Sequence, residues 1–232
     1  MNKIRLNKYL SSAGISSRRK ADDLIVSGRV LVNNCVAKVG EVINSDIDEI
    51  LVDRKKITAN VKKHYFAFYK PKGIITSLTD KQGIGIKKFL PKNLSIFPVG
   101  RLDKYSEGLL ILTDDGDFAQ EISDPKKEKE KIYHLTFSGK PNRIGKEGII
   151  RIFQNGIRHR GEIYKAKSVK FIENNLIEII LTEGKNRQIR IITGKIGLSI
   201  EKLIRVKIGK LSLFDLKLSP GKIVKINKSD II

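Results

Sequence analysis

Asp103 is the carboxylate whose sequence surroundings suit chemistry. It lies in GRLDKYSEGLLILTDDG, residues 100–116, on the approach to the apolar run Leu109 to Thr113. Gly100 frees a backbone turn, Gly108 permits a close approach, and the apolar run reads as a buried strand. An acid at the mouth of a rigid strand can be aimed at a ligand. Spacing alone also allows Asp103 to pair with Arg101 or to cap a turn, and both readings stay open. Other chemistries are poorly provided for. The single cysteine, Cys35, has no partner for an internal disulfide, no Cys/His cluster has metal-ligand spacing, and His64, His134 and His159 stand apart. The expectation is a protein that uses no metal and occupies a reducing compartment.

The elements that must position Asp103 follow from periodicity. Residues 4–13 place Ile4, Leu6, Tyr9, Leu10 and Ala13 at helical spacing with Gly14 just beyond, which predicts a short helix. A second helix is expected over RRKADDLIVSG, capped by Ser16 or Ser17, with Ala21, Leu24 and Ile25 on its apolar face and Gly28 at its stop. RVLVNNCVAKVGEVI reads as two short strands around an Asn33-Asn34 turn. These elements form a small domain over residues 1–58, followed by a polar linker at 59–64. Beyond it, the strand-like runs are YFAFYK, IITSLT, IFPV, LLILT, YHLTFSG, KAKSVKFI, LIEIILTEG and LIRVKIGKLSL. Helical patterns sit at DGDFAQEIS, NRIGKEGIIRIFQNG and NRQIRIITGKIG. Asn174-Asn175 marks a hairpin turn, and KKEKEK at 126–131 a solvated loop. The fold class is α+β: a small two-helix, small-sheet N-terminal domain, then a larger domain over 65–232 on a mixed, mainly antiparallel sheet with helices packed on it.

Charge narrows the partner. The chain has 232 residues, and 46 Lys plus Arg against 25 Asp plus Glu leave a net charge of +21. With 40% hydrophobic residues it can bury a core, which excludes wholesale disorder. The excess points to a polyanion, nucleic acid before an anionic membrane surface. It is concentrated. Residues 3–29 carry Lys3, Arg5, Lys8, Arg18, Arg19, Lys20 and Arg29 against Asp22 and Asp23. Residues 185–207 carry seven basic residues against Glu201 alone. No apolar run is long enough to span a bilayer, and the N-terminus opens on a polar helical pattern rather than a signal peptide. A soluble cytoplasmic protein, monomeric by default, is expected.

Two resemblances sharpen this reading. The stretch SSRRKADDLIVSGRVLVNN is similar to the small RNA-binding domain first seen in the fourth small-subunit ribosomal protein. GRLDKYSEGLLILTDDG resembles the central motif of the RsuA/RluB family of pseudouridine synthases. Further motifs of that family follow in order: Lys70-Pro71-Lys72-Gly73, EKIY ending in Tyr133, EGKNRQIR at 183–190 and LIRVKIG at 203–209. The resemblance spans essentially the whole chain. It implies that Asp103 is the catalytic carboxylate, that Tyr133 packs on the flipped uracil, and that Arg190 pairs with and orients Asp103. Leu203 becomes the apolar pocket residue beside the base, with Arg101 near it. On a helix Arg187 and Arg190 share a face, so one can hold Asp103 while the other meets phosphate. RNA contacts are expected from Arg5, Lys8, Arg18, Arg19, Lys20, Arg29, Lys70, Lys185, Arg187 and Arg205; Lys70 and Arg101 alternatively support the loop. Two departures from the family pattern are Ile191-Ile192 after the Q-x-R string and Ser123-Asp124-Pro125 in place of a His-Pro element.

The implied reaction breaks the bond from ribose to the base nitrogen, rotates the uracil and joins its carbon 5 to the same ribose carbon, with no redox change. A uridine stacked in a helix cannot present both centres, so it must be flipped or already splayed. The resemblance leans to enzymes of large-subunit ribosomal RNA, with a small-subunit enzyme as the alternative. A non-catalytic RNA-binding assembly factor and a glycosylase remain as readings of another class.

Overall fold

The computed structural model describes residues 3–58, 62–139 and 144–231. Residues 59–61 of the expected linker, and Asn142 and Arg143 at the start of the expected helix NRIGKEGIIRIFQNG, lie outside the described residues. The chain forms two compact units. One holds the residues up to His64 with Pro91–Ile96 and Asp114–Gly116; the other holds Tyr65–Leu90, Phe97–Thr113 and the chain from Asp117 onward.

The first unit runs β1 (Lys3–Arg5), α1 (Leu6–Ser12), α2 (Arg18–Val26), β2 (Val30–Val32), β3 (Cys35–Val36), β4 (Val42–Asn44), β5 (Ile50–Val52) and β6 (Lys55–Lys56). The expected first helix is shorter than its periodicity suggests. Ile4 and Arg5 leave it and, with Lys3, pair antiparallel with Val42–Asn44. Ser17 caps α2 by accepting from the Lys20 amide, and Gly28 ends it at φ +70. Asn33 and Asn34 take φ of 49° and 64°, the left-handed pair that a two-residue hairpin turn requires. Leu6, Leu10, Ala21, Ile25, Val30, Ile43 and Ile50 close the core beneath them.

The second unit contains β7 (Tyr65–Lys70), β8 (Phe97–Val99), β9 (Glu107–Thr113), α3 (Gly116–Ser123) from Asp117 onward, β10 (Lys131–Ser138) and α4 (Gly145–Asn155). It continues through β11 (Ile157–His159), β12 (Glu162–Tyr164), β13 (Ser168–Phe171), β14 (Leu176–Leu181), α5 (Gln188–Lys195), β15 (Ser199–Ile208), β16 (Leu211–Ser212) and β17 (Ile223–Lys225). The main sheet has the order β13-β14-β10-β15-β9-β7-β17. Every pairing in it is antiparallel except β15 with β9, as the α+β reading required. Two expectations fail locally. IITSLT is a loop with one bridge, Ile75 to Gly85, and Lys131 at the end of KKEKEK belongs to β10 and is half-buried.

Two cores support this sheet. Leu135, Ile149, Phe153, Ile177, Ile179, Ile192 and Leu203 join α4 and α5 to β10, β14 and β15. Leu109, Ile111, Phe118, Ile208, Leu211 and Ile231 form the other. Each such side chain contributes about 1.5–3 kcal/mol when fully buried. β9 is buried along its whole length, so the loop that precedes it starts from a rigid base. The parallel ladder between β15 and β9 has two register pairs, Ile204 with Glu107 and Arg205 with Gly108. From Ile111 to Thr113, β9 pairs instead with β8. Gly108 makes this close pairing possible. Its φ is +110, and a Cβ there would stand 2.4 Å from the carbonyl oxygen of Arg205.

Candidate active site

Asp103 sits on the loop entering β9, and that loop is bracketed on several sides. The Ser106 amide donates to the Asp103 carbonyl at 3.0 Å, and the Gly73 amide donates to the Lys104 carbonyl at 2.7 Å. Thr76 clamps the adjoining residue from both directions: its Oγ1 donates to the Leu102 carbonyl at 2.7 Å and accepts from the Leu102 amide at 3.1 Å. Lys70 lies beneath, with Nζ donating to the carbonyls of Ile74 at 2.7 Å and Pro71 at 3.0 Å. It is wholly buried. The expected RNA contact from Lys70 is therefore corrected to loop support, since a buried ammonium bound to two carbonyls does not reach a phosphate. Burial pulls its pKa down to about 8, against the opposing pull of the Asp103 and Glu107 carboxylates.

Arg190 reaches the same place from α5. Its Nε stands 3.6 Å from Asp103 Oδ2, and its Nη2 donates to Ser106 Oγ at 3.1 Å. Burial lowers the Arg190 pKa, while the Asp103 charge raises it and that of Arg187 lowers it. Arg187 does not share a helix face with Arg190. It precedes α5 in a left-handed conformation, φ 52°, and its side chain is exposed at the cavity mouth. The helix start is set by Gln188, which is 3% exposed. The Gln188 side chain accepts from the Lys185 amide and donates to the Lys165 carbonyl and to Glu183 Oε1.

These groups open onto a cavity of about 660 Å³. Its walls include Tyr133 on β10 and Leu203 and Arg205 on β15, all nearly buried, and Arg101 stands exposed at its edge. Tyr133 and Arg205 are partners in the β10–β15 register. Ser123 and Pro125 also line it, so the departure at Ser123-Asp124-Pro125 lies at the site.

The structure corrects one more of the expected RNA contacts and places two others in ion pairs. Arg205 is 3% exposed, with its Nε donating to the Leu109 carbonyl at 2.8 Å. Lys185 donates to the Ile163 carbonyl at 2.6 Å and pairs with Glu162 and Glu183, with its ammonium over the Tyr164 ring. Arg29 pairs with Asp53 through two bonds of 2.7 and 2.6 Å and stays exposed. Arg5, Arg18, Arg19 and Lys20 are exposed, and Lys8 is half-buried. Sequence reasoning assigned no role to Ser106, Thr76 or Gln188, although Ser106 and Gln188 stand inside the two motifs it used. Among the described residues, no group of three His, Cys, Asp or Glu could hold a metal, and no helix is long and apolar enough to cross a membrane.

The RNA pseudouridylate synthase family matches residues 64–194, and the S4 domain matches residues 4–45. An uncharacterized RNA pseudouridine synthase of Aquifex aeolicus is 34% identical, over 100% of this chain and 93% of its own length. Ribosomal large subunit pseudouridine synthase B of Bacillus subtilis is 36% identical, over 90% of this chain and 87% of its own length. A crystal structure of a pseudouridylate synthase superposes with a TM-score of 0.69 at 28% identity, covering 98% of each chain. A match across more than half of the chain and relatives that span nearly all of it carry one conclusion: the chain belongs to the RNA pseudouridylate synthases, isomerases that act on uridine in RNA, and bears an S4 domain at its N-terminus.

Proposed function

We propose that the chain converts a specific uridine of large-subunit ribosomal RNA to pseudouridine, with Asp103 as the catalytic carboxylate. The observation that carries the reading is Asp103 on a clamped loop, facing a cavity, with Arg190 Nε at 3.6 Å. Arg190 orients the carboxylate, Tyr133 offers a flat ring on which a flipped uracil stacks, and Leu203 walls the apolar edge of the base. The choice of the large subunit rests on the name of the Bacillus subtilis relative. Residues 1–58 serve as a docking module, using the exposed Arg5, Arg18, Arg19 and Lys20 for phosphate contacts, and residues 65–232 carry the chemistry. The protein acts as a monomer in the cytoplasm and needs no added cofactor.

Pseudouridine mapping by carbodiimide-stop sequencing, in a strain lacking the gene, tests this reading. One large-subunit pseudouridine should disappear and return with the wild-type gene but not with Asp103→Asn. A strain that keeps every pseudouridine overturns the proposal, and loss of a small-subunit site redirects it to the other ribosomal RNA. Recovery with Asp103→Asn would assign the effect to RNA binding alone.

A further inference from the structure

Arg205 is buried where β15 parts from β9. Its Nε donates to the Leu109 carbonyl at 2.8 Å, occupying the acceptor just beyond the two-pair contact between the strands. This bond fixes the guanidinium and uses one of its donors. Nη2 is buried too, and among the described residues it makes no hydrogen bond. Arg205 lines the cavity together with Asp103, Tyr133 and Lys131. Leaving a buried charged donor unpaired is costly.

Positive charge accumulates around that donor. Lys131 lines the same cavity, and burial and the Arg205 charge both push its pKa down. Lys70, on the adjacent strand but one, is affected first by burial and by the Asp103 and Glu107 carboxylates, and after them by the Arg205 charge. Cations close enough to disfavour one another, at the wall of a cavity, form a receptor for negative charge that arrives with the substrate or develops on it.

We propose that Arg205, backed by Lys131, holds the negative charge that uracil acquires when it leaves the ribose. The C1′–N1 bond breaks with its electron pair going to N1, where the charge spreads to the oxygens O2 and O4. After the base turns, carbon 5 forms the new bond to C1′, the C5 proton departs and N1 takes up a proton, so the charge is temporary. A hydrogen-bond donor already fixed by Leu109 meets that charge with little reorganisation. The same donor would suit a phosphodiester oxygen of the RNA, and the test separates the two. This assignment rests on the reading of the cavity as the active site.

The experiment uses the full chain in single turnover on a large-subunit ribosomal RNA transcript made with UTP or with 5-fluoro-UTP, following the carbon-linked nucleoside, which on the fluorinated transcript keeps fluorine at C5 and takes up water at C6 because it has no C5 proton to lose. Fluorine stabilises the departing uracil anion, so less help is needed from the protein. Arg205→Gln should lose on the order of 100-fold in rate on the uridine transcript and markedly less on the fluorinated one, with RNA affinity within about twofold of wild type. Arg205→Lys, which keeps the charge, should recover part of the loss. If Arg205→Gln does not fold, Lys131→Met carries the same comparison. Equal losses on the two transcripts, or no loss, overturn the proposal. So does weakened RNA affinity with an unchanged rate at saturation, which would make Arg205 a phosphate contact. A wild-type chain inactive on the uridine transcript counts against the active-site reading itself.

Discussion

Arg190 binds Ser106 more closely than it binds Asp103: its Nη2 lies 3.1 Å from Ser106 Oγ, whereas its Nε lies 3.6 Å from Asp103 Oδ2. The serine therefore sets where the guanidinium fork points, and the carboxylate takes its orientation from that. A hydrogen bond to a charged group is worth about 1.5–3 kcal/mol, and each 1.4 kcal/mol or so is tenfold in rate. Ser106→Ala is expected to slow single-turnover pseudouridine formation roughly tenfold with RNA affinity unchanged. A fall in affinity without a fall in rate would remove Ser106 from this role.

Arg190→Lys keeps a positive charge but loses the planar fork. A lysine cannot serve Ser106 and Asp103 in the same geometry, so the rate should fall further than with Ser106→Ala, by roughly 100-fold. Activity near wild type would show that charge alone suffices at this position.

Gly108 is the tightest point of the sheet. An added Cβ would meet the Arg205 carbonyl at 2.4 Å in a backbone with φ +110, whereas at Gly100, φ +72, nothing lies within 4 Å. Gly108→Ala should cost about 2–4 kcal/mol in urea denaturation. Gly100→Ala suffers backbone strain alone, about 1 kcal/mol. Equal costs would mean that the approach of β15 to β9 is not what Gly108 serves.

Lys70 gives the fold a pH signature. Its folded pKa of about 8 lies below the ordinary 10.5, so between those values the unfolded chain binds more protons and stability rises with pH. Below about pH 8 the ammonium is protonated in both states, and its burial is a full cost. Wild type should therefore gain stability relative to Lys70→Met as the pH rises from about 8 to 10.5, read by urea melts across that range. Parallel curves for the two proteins would contradict the burial of a charged Lys70.

The first turn of α2 carries Arg18, Arg19 and Lys20 and no acidic residue. Cations at a helix N-terminus oppose the helix dipole, a cost that an RNA phosphate would relieve. Replacing all three by alanine should weaken RNA binding and lower the slope of log K against log salt by about 2–3, while slightly raising the stability of the first unit. An unchanged salt slope would exclude this helix from the RNA interface.

Linear sequence was sufficient for whatever depends on local spacing. The helix over Arg18–Val26, the Asn33-Asn34 turn, the buried strand after Asp103 and the α+β class all follow from periodicity, capping residues and turn residues, which act over a few neighbours. The long motifs likewise pointed to the family before any contact was known. Tertiary structure alone decided which charges face solvent. Lys70, Lys185 and Arg205 look like phosphate contacts in a basic string, yet one supports a loop, one is held by two glutamates, and one lies buried against Leu109. Arg187, expected beside Arg190 on a helix, stands before that helix because its backbone turns left-handed. The physical reason is common to all four. Charge is a property of the residue, whereas its partners and exposure depend on strands and loops elsewhere in the chain, for Arg205 on where β15 pairs with β9 and leaves it.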